Sequence, residues 1–342
     1  MPLSLAELIA ARDWYPRITL EGGVSEVLRF VDLDAAIPTE LAALDSRVCL
    51  LIGLTTQAPS ALVLEAAERL DLVLSTEQTE DHRVITVSDL DVAIAELTQA
   101  SALRPRAVLV LASLLRQTAQ LSVADAIAAE AAAYSTLLAG PEFAQWLASR
   151  GTRKPTPAGE SARVETELDG EMLSVRLTRK LRLNAIDSPM RAALVDAFAI
   201  AIADPQLQVQ VSGAGPCFSN GGDLREFGTT PDPATAWTVR LTQHPGWQLS
   251  QIADRTRVLM HGPCVGAGVE IAAFAGQVSA DPNTTFLLPE LQMGLLPGAG
   301  GCVSIPRRIG RWRTLWLVLS ASILSAQEAH DWGLIDDILA ID

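Results

Sequence analysis

Apolar positions along this chain follow two rhythms, and the balance between them shifts near residue 151. Before that point RVCLLIGL (47–54), LDLVLSTE (70–77) and HRVITV (82–87) are short runs dense in aliphatic residues, the signature of buried strands. Between and after them apolar residues recur every three or four positions, which predicts helices. SDLDVAIAELTQA opens on Ser88 as an N-cap. SVADAIAAEAAAYSTLLAG opens on Ser122, with Asp125 placed to reach back as in a capping box, and stops at Gly140. The stretch GTRKPTPAGES is rich in Gly, Pro and small polar residues and reads as a linker. The expected division is therefore 1–150, a linker over 151–162, and a second unit over 163–342.

After the linker strands and helices alternate. RVETELDGEMLSVRLT (163–178) predicts a hairpin turning at Asp169-Gly170. SPMRAALVDAFAIAIAD (188–204) predicts an amphipathic helix, and LQVQVSG (207–213) a strand. A polar loop, FSNGGDLREF, leads to a helix over about 234–251 and then to the strand RVLMHG (257–262). A further helix, a strand near 277–280, the run TTFLLPE (284–290) and the loop MGLLPGAGG follow. This alternation predicts an α/β domain whose ligands bind at strand-to-helix loops.

Bulk properties narrow the partners. The chain's 342 residues suffice for two domains or one large one, and 49% of them are apolar against 19% charged. Its 26 basic and 40 acidic residues give a net charge of −14, which argues against a nucleic-acid partner. The apolar stretches 47–54 and 106–115 are too short to span a bilayer, so no membrane partner is expected. The N-terminus, MPLSLAELIAARDW, lacks the basic start and long apolar core of a signal peptide. Cys49, Cys217, Cys264 and Cys302 are scattered without CxxC spacing, so neither a metal site nor a disulfide framework is expected. A reduced, cytoplasmic location is the expectation.

The candidate chemistry starts at HGPCVGAGVE (261–270), which sets three glycines and Glu270 where a helix is about to begin. Glycine is costly in a regular element. A phosphate-cradling loop would need Lys and Ser or Thr after the last glycine, where Val269 and Glu270 stand. A dinucleotide fingerprint would need a small residue at Ile271. Two uses remain: an ordinary turn with an acid in the first helical turn, or a backbone N–H aimed at a developing oxyanion with an acid beside it. Two further glycine loops, 219–224 and 297–301, also follow strands, and Glu290 ends one of those strands. Paired carboxylates such as Glu270 and Glu290 suit acid–base work on a carbon acid. Residue types alone leave open two surface acids and three turns.

The order LNAID (183–187), FSNGGDLREF (218–227), HGPCVGAGVE (261–270), LLPELQMGLLPGAGG (287–301) and SAQEAHDWGLID (325–336) resembles the enoyl-CoA hydratase/isomerase, or crotonase, superfamily. The resemblance spans about residues 163–342. It implies a crotonase-like fold of repeated ββα units and an acyl-CoA thioester substrate, with coenzyme A arriving as part of that substrate and no separate cofactor or metal. It implies that the N–H groups of Gly222 and Ala267 form an oxyanion hole, that Glu270 and Glu290 act on water, and that Gly298 helps place the water. Arg179, Lys180 and Arg182 would lie near the CoA nucleotide. The activity implied is a lyase that adds water to a 2-enoyl-CoA or dehydrates a 3-hydroxyacyl-CoA. The alternatives are an enoyl-CoA isomerase working mainly through Glu290 and a non-catalytic acyl-CoA-binding subunit. A homo-oligomer, trimeric or hexameric, is expected.

The sequence departs from the family pattern in four places. Ala267 replaces a usual glycine, Gly276 stands where many members carry aspartate, and Val303-Ser304 replace Gln-Arg. The family's C-terminal cover helices would have to follow Asp342, where the sequence stops. Residues 105–155 resemble that missing region. The first half is therefore expected to be a shortened, degenerate crotonase unit whose helices cover the second half, in the same or another chain. The rival reading is an unrelated α/β or mainly helical accessory region. Of the remaining residues, His261 is expected to be structural, Asp223 to cap its loop, and His82, His244 and His330 to stand alone. Trp312 and Trp316 are expected in a core or interface.

Overall fold

A computed structural model describes residues 2–151 and 162–341; most of the predicted linker lies outside the described residues. The first half is α/β. In chain order it runs β1 (Leu3–Ser4), α1 (Leu5–Ala11), β2 (Arg17–Ile18), β3 (Val24–Ser25), β4 (Leu28–Asp32), β5 (Leu50–Thr55), α2 (Ala61–Ala67), β6 (Leu72–Ser75), β7 (Ile85–Thr86), α3 (Leu90–Leu103), α4 (Pro105–Thr118), α5 (Val123–Leu138) and α6 (Pro141–Ser149). Strands β1-β4-β5-β6-β7 form a parallel sheet in that order, and β2 pairs with β3 in a small hairpin. The expected strand over 82–87 is only β7. Asp81 takes the Arg83 backbone N–H and its guanidinium, which holds the preceding residues in a turn.

The second half contains β8 (Val164–Asp169), β9 (Met172–Leu177), α7 (Ser188–Ala203), β10 (Gln208–Gly213), α8 (Pro233–Thr242), α9 (Pro245–Ser250), β11 (Thr256–Met260), β12 (Pro263–Val265), α10 (Ala267–Ala272), β13 (Gln277–Ala280), β14 (Thr285–Leu287), α11 (Gly301–Ser320), β15 (Leu324–Ser325), α12 (Ala326–Trp332) and β16 (Asp337–Ile338). Six strands form one sheet in the order β16-β13-β11-β10-β9-β8, parallel except for the β8–β9 hairpin. A smaller sheet has the order β12-β14-β15. The repeated unit is visible here. β11 and β13 lie in the large sheet, the following β12 and β14 cross to the small one, and α10 and α11 close each unit.

Local chemistry moves several expected boundaries. Asp89, not Ser88, caps α3, accepting the Val92 N–H at 3.1 Å. The hairpin turn falls one residue later than expected: Asp169 pairs with Met172, so Gly170 and Glu171 are the turn, with Gly170 at φ +58°. The single helix expected over 234–251 is two. Pro245 has no N–H and pushes His244 out of the helical region, so α8 ends and α9 begins, with His244 Nδ1 accepting the Trp247 N–H. Ser122 caps α5 as expected, accepting the Asp125 N–H.

The two halves share one hydrophobic core. Side chains alternate across a strand, and in β5 and β6 one face sends Leu50, Ile52, Leu72 and Leu74 into a cluster continuous with Val258, Leu296 and Ile305 of the second half. The opposite face sends Leu51 and Val73 into a separate cluster with Leu5, Leu8 and Leu44. Helix α11 is seated on the first half. Trp312 Nε1 donates to Ala67 O at 3.0 Å, Arg311 donates to Leu70 O at 2.9 Å, and Arg307 donates to Leu121 O at 2.9 Å. Trp312 thus sits at the junction between the halves, edge-on to the His82 ring. Helices α4, α5 and α6 pack over the second half within the same chain. No helix among the described residues is long and apolar enough to cross a membrane.

Candidate active site

The glycine loop before α10 is shaped by close backbone contacts. Gly266 has φ +47°, a conformation that glycine adopts readily. A methyl on Gly268 would meet Ser219 O at 2.7 Å, so this loop lies against the loop after β10. That second loop is shaped the same way: Gly221 has φ +82°, and a methyl there would meet Val265 O at 2.7 Å. The residues that follow these two tight positions, Gly222 and Ala267, both line one open cleft. Among the described residues neither of their N–H groups has a hydrogen-bond acceptor. At Ala267 the cause is plain, because the first N–H groups of a helix have no intrahelical partner.

Two carboxylates border the same loop. A methyl on Gly266 would collide with Glu290 Oε1 and come within 3.8 Å of Glu270 Oε1. Glu270 is 2% exposed, and its Oε2 accepts the Ala299 and Gly301 N–H groups at 2.7 and 2.9 Å. Glu290 is 7% exposed, and its Oε2 is buried without a partner. Burial raises the pKa of Glu270 to about 7, against the pull of those two N–H groups and of Arg240. Burial, followed by the charge of Glu270, pushes Glu290 well above the ordinary carboxylate range. The arrangement is one acid poised near neutrality beside one held protonated.

A third buried acid comes from the first half. Glu130, on α5, accepts the Gly300 and Cys302 N–H groups at 2.7 and 2.8 Å. Burial, then the Glu270 charge, raises its pKa well above normal. Tyr134, one turn further along α5, lies in the cleft wall under the Arg240 guanidinium, 3.7 Å from its ring centre. Gly298 fits because it has no side chain: a methyl there would overlap the Tyr134 ring. Its carbonyl accepts from Arg240 at 3.0 Å.

The basic turn before LNAID divides. Arg179 is turned inward and pairs with Asp187 and Asp223 at 3.2 and 2.8 Å, so it holds the loop together and is unsuited to contact a CoA phosphate. Lys180 and Arg182 are exposed and lie outside the cleft lining. Asp223 also accepts the Arg225 N–H, the capping role expected of it, and His261 bonds Gly215 O. Two departures from the family pattern have steric or bonding causes. Gly276 donates to Ala253 O at 2.8 Å in a space no side chain could enter, and Ser304 Oγ bridges the carbonyls of Glu270 and Gly300.

Sequence reasoning missed Glu130, Tyr134, Arg191, Arg240 and the cleft position of His244. The signal for Glu130 was a lone carboxylate inside AIAAEAAAY, on the face of α5 that also carries Ile127 and Tyr134. The others sit at helical spacings that a solvated face would share.

Buried paired acids at the strand-to-helix loops of a ββα-repeat α/β fold define a crotonase-like protein. The chain belongs to the enoyl-CoA hydratase/isomerase family, whose profile matches residues 167–342. It is 31% identical over 173 residues to the 2,3-dehydroadipyl-CoA hydratase of Escherichia coli, covering 50% of this chain and 67% of that one. It is 30% identical over 169 residues to the 1,2-epoxyphenylacetyl-CoA isomerase of the same organism, covering 48% and 64%. Among solved structures it is similar to an enoyl-CoA hydratase from Thermoplasma volcanium, at 33% identity and a TM-score of 0.47, covering 52% of this chain and 72% of that one.

Proposed function

We propose that this chain adds water to a 2-enoyl-CoA thioester and catalyses the reverse dehydration of a 3-hydroxyacyl-CoA. The observation that carries this reading is the pair of buried acids flanking Gly266, one tuned to about 7 and one held protonated. The thioester oxygen accepts the free N–H groups of Gly222 and Ala267, which stabilise the charge it gains as an enolate. Ionised Glu270 takes a proton from water as the water oxygen bonds to the β-carbon. Glu290 gives its proton to the α-carbon, and the two acids then exchange the proton they differ by. Gly298 leaves the space beside Glu270 open on the Tyr134 side. The CoA nucleotide, on this reading, lies toward exposed Lys180 and Arg182. The test is loss of the conjugated-thioester absorbance on adding crotonyl-CoA and longer or aromatic enoyl-CoAs to the full chain. No change with any of them would exclude hydration.

One observation favours a second reading, double-bond isomerisation. Glu270 is fastened by two N–H groups whereas Glu290 Oε2 is free, as suits one carboxyl that carries a proton between two carbons. Conversion of a 3-enoyl-CoA to its 2-enoyl isomer without hydration would select it.

A further inference from the structure

One wall of the cleft, beside the glycine loop 297–301, is rich in hydrogen-bond donors that lack acceptors. Arg191, on α7, donates to Ser188 Oγ at 3.2 Å and more distantly to Gln243 Oε1, and its buried Nε has no partner. Arg240, on α8, donates to Gly298 O and stacks on Tyr134, and its buried Nε also has no partner. His244 is 6% exposed. Its Nδ1 accepts the Trp247 N–H, so the ring proton sits on Nε2, which is buried and without a partner. Burial, then Arg240, lowers the His244 pKa to about 4, so the ring is neutral and acts as a donor. All three line the cleft that holds Glu270 and Glu290.

The two arginines also repel each other. Burial lowers the Arg191 pKa, Arg240 lowers it further, and only Glu226 and Asp187 oppose the shift. Glu226 offsets part of this charge from a distance while its carboxylate accepts the Ser188 N–H and O–H, and neither arginine forms an ion pair among the described residues. Two adjacent guanidiniums and a neutral N–H donor facing one cleft, with no acceptor to match, form an incomplete anion site. An apolar acyl tail would leave all three donors unsatisfied.

We propose that Arg191, Arg240 and His244 bind an acidic group at the far end of the acyl chain, so the substrate is the CoA monothioester of a dicarboxylic acid. This rests on the acyl-CoA reading above. The phosphates of CoA are a poorer match, because the pantetheine arm separates them from the thioester and hence from this cleft.

The test is calorimetric binding to the full chain, which needs no turnover, with glutaryl-CoA and adipyl-CoA against pentanoyl-CoA and hexanoyl-CoA, and with free CoA as control. The acid-terminated thioesters should bind on the order of 10- to 100-fold more tightly than their methyl-terminated counterparts, as charge-assisted bonds warrant. Arg191→Gln and Arg240→Gln, checked for unchanged melting, should each shrink that ratio, and His244→Phe should shrink it less. Equal or tighter binding of the methyl-terminated thioesters overturns the proposal. So does a weakening of free CoA as large as that of the acid-terminated ligands, which would assign the arginines to the phosphates. A preserved preference in a chain that hydrates nothing would defeat the hydration reading and leave this one standing.

Discussion

At the scale of single residues, Glu270 and Glu290 differ in what holds them, and this sets the expected behaviour of each. Glu290→Gln should lower the hydration rate by about 100- to 10,000-fold while the protein stays folded. A fully active variant would remove Glu290 from the reaction. Because Glu270 must be ionised to take a proton and its pKa is raised to about 7, hydration should climb as pH rises through about 7. It should fall again at higher pH as Glu290 loses the proton it has to give. A rate flat from pH 5 to 9 would contradict that assignment. Glu270 and Glu290 drew attention as acids beside a glycine loop and at a strand end, which are local patterns, whereas Gly222 and Ala267 were named only through the family resemblance. The sequence did not make Arg240 or His244 legible, since their role depends on which way α8 and α9 face once Pro245 has broken the helix between them.

At the scale of elements, α11 begins without a cap of its own. Its N-cap residue is Gly300, and the acceptors for the Gly300 and Cys302 N–H groups come from Glu130 on α5. The Glu130 carboxyl satisfies donors that a helix start leaves open. Glu130→Gln keeps the volume but turns an amide toward one of those donors. It should cost about 1–3 kcal/mol in urea unfolding. A variant as stable as the parent would show the contact to be dispensable. The three buried acids also fix the sign of a pH effect. Their folded pKa values are raised, so the folded chain keeps protons that the unfolded chain releases, and stability falls as pH rises. For Glu270 the loss should begin above its ordinary value of 4.5 and be complete beyond about 7. Melting temperatures at pH 5.5 and 8 should therefore lie closer together in Glu270→Gln than in the parent. Helix α5 was readable from its periodicity and its Ser122 cap, and α7 from its periodicity. The pairing of α5 with α11 was not, because it spans about half the chain and leaves no local trace.

At the scale of the whole molecule, one core runs through both halves, and α4 to α6 of this chain lie over the second half. The exchange of cover helices between chains, which motivated the expectation of a trimer or hexamer, is not required for this pocket. Light scattering of the full chain decides its mass independently. The fragment 162–341 alone should expose the apolar face that meets Leu111, Ile127 and Tyr134, and aggregate. Supplying 1–151 as a separate chain should restore its solubility. A soluble 162–341 that melts cooperatively would mean that the shared core is not needed for folding. The first-half strands β5 and β6 were legible as continuous apolar runs, whereas β1 and β4 were not, being short and mixed in polarity.

The Glu130 contact also bears on how such a gene can change. A recombination event that joins the first half of one homologue to the second half of another would part the acid from the glycine-rich turn that it caps, and Tyr134 from the glycine that makes room for it. Hybrids should stay active only where both partners of each contact descend from parents that match there. Inherited variation at positions 130, 134, 298 and 300 is therefore expected to travel together, although the chain is read in two blocks.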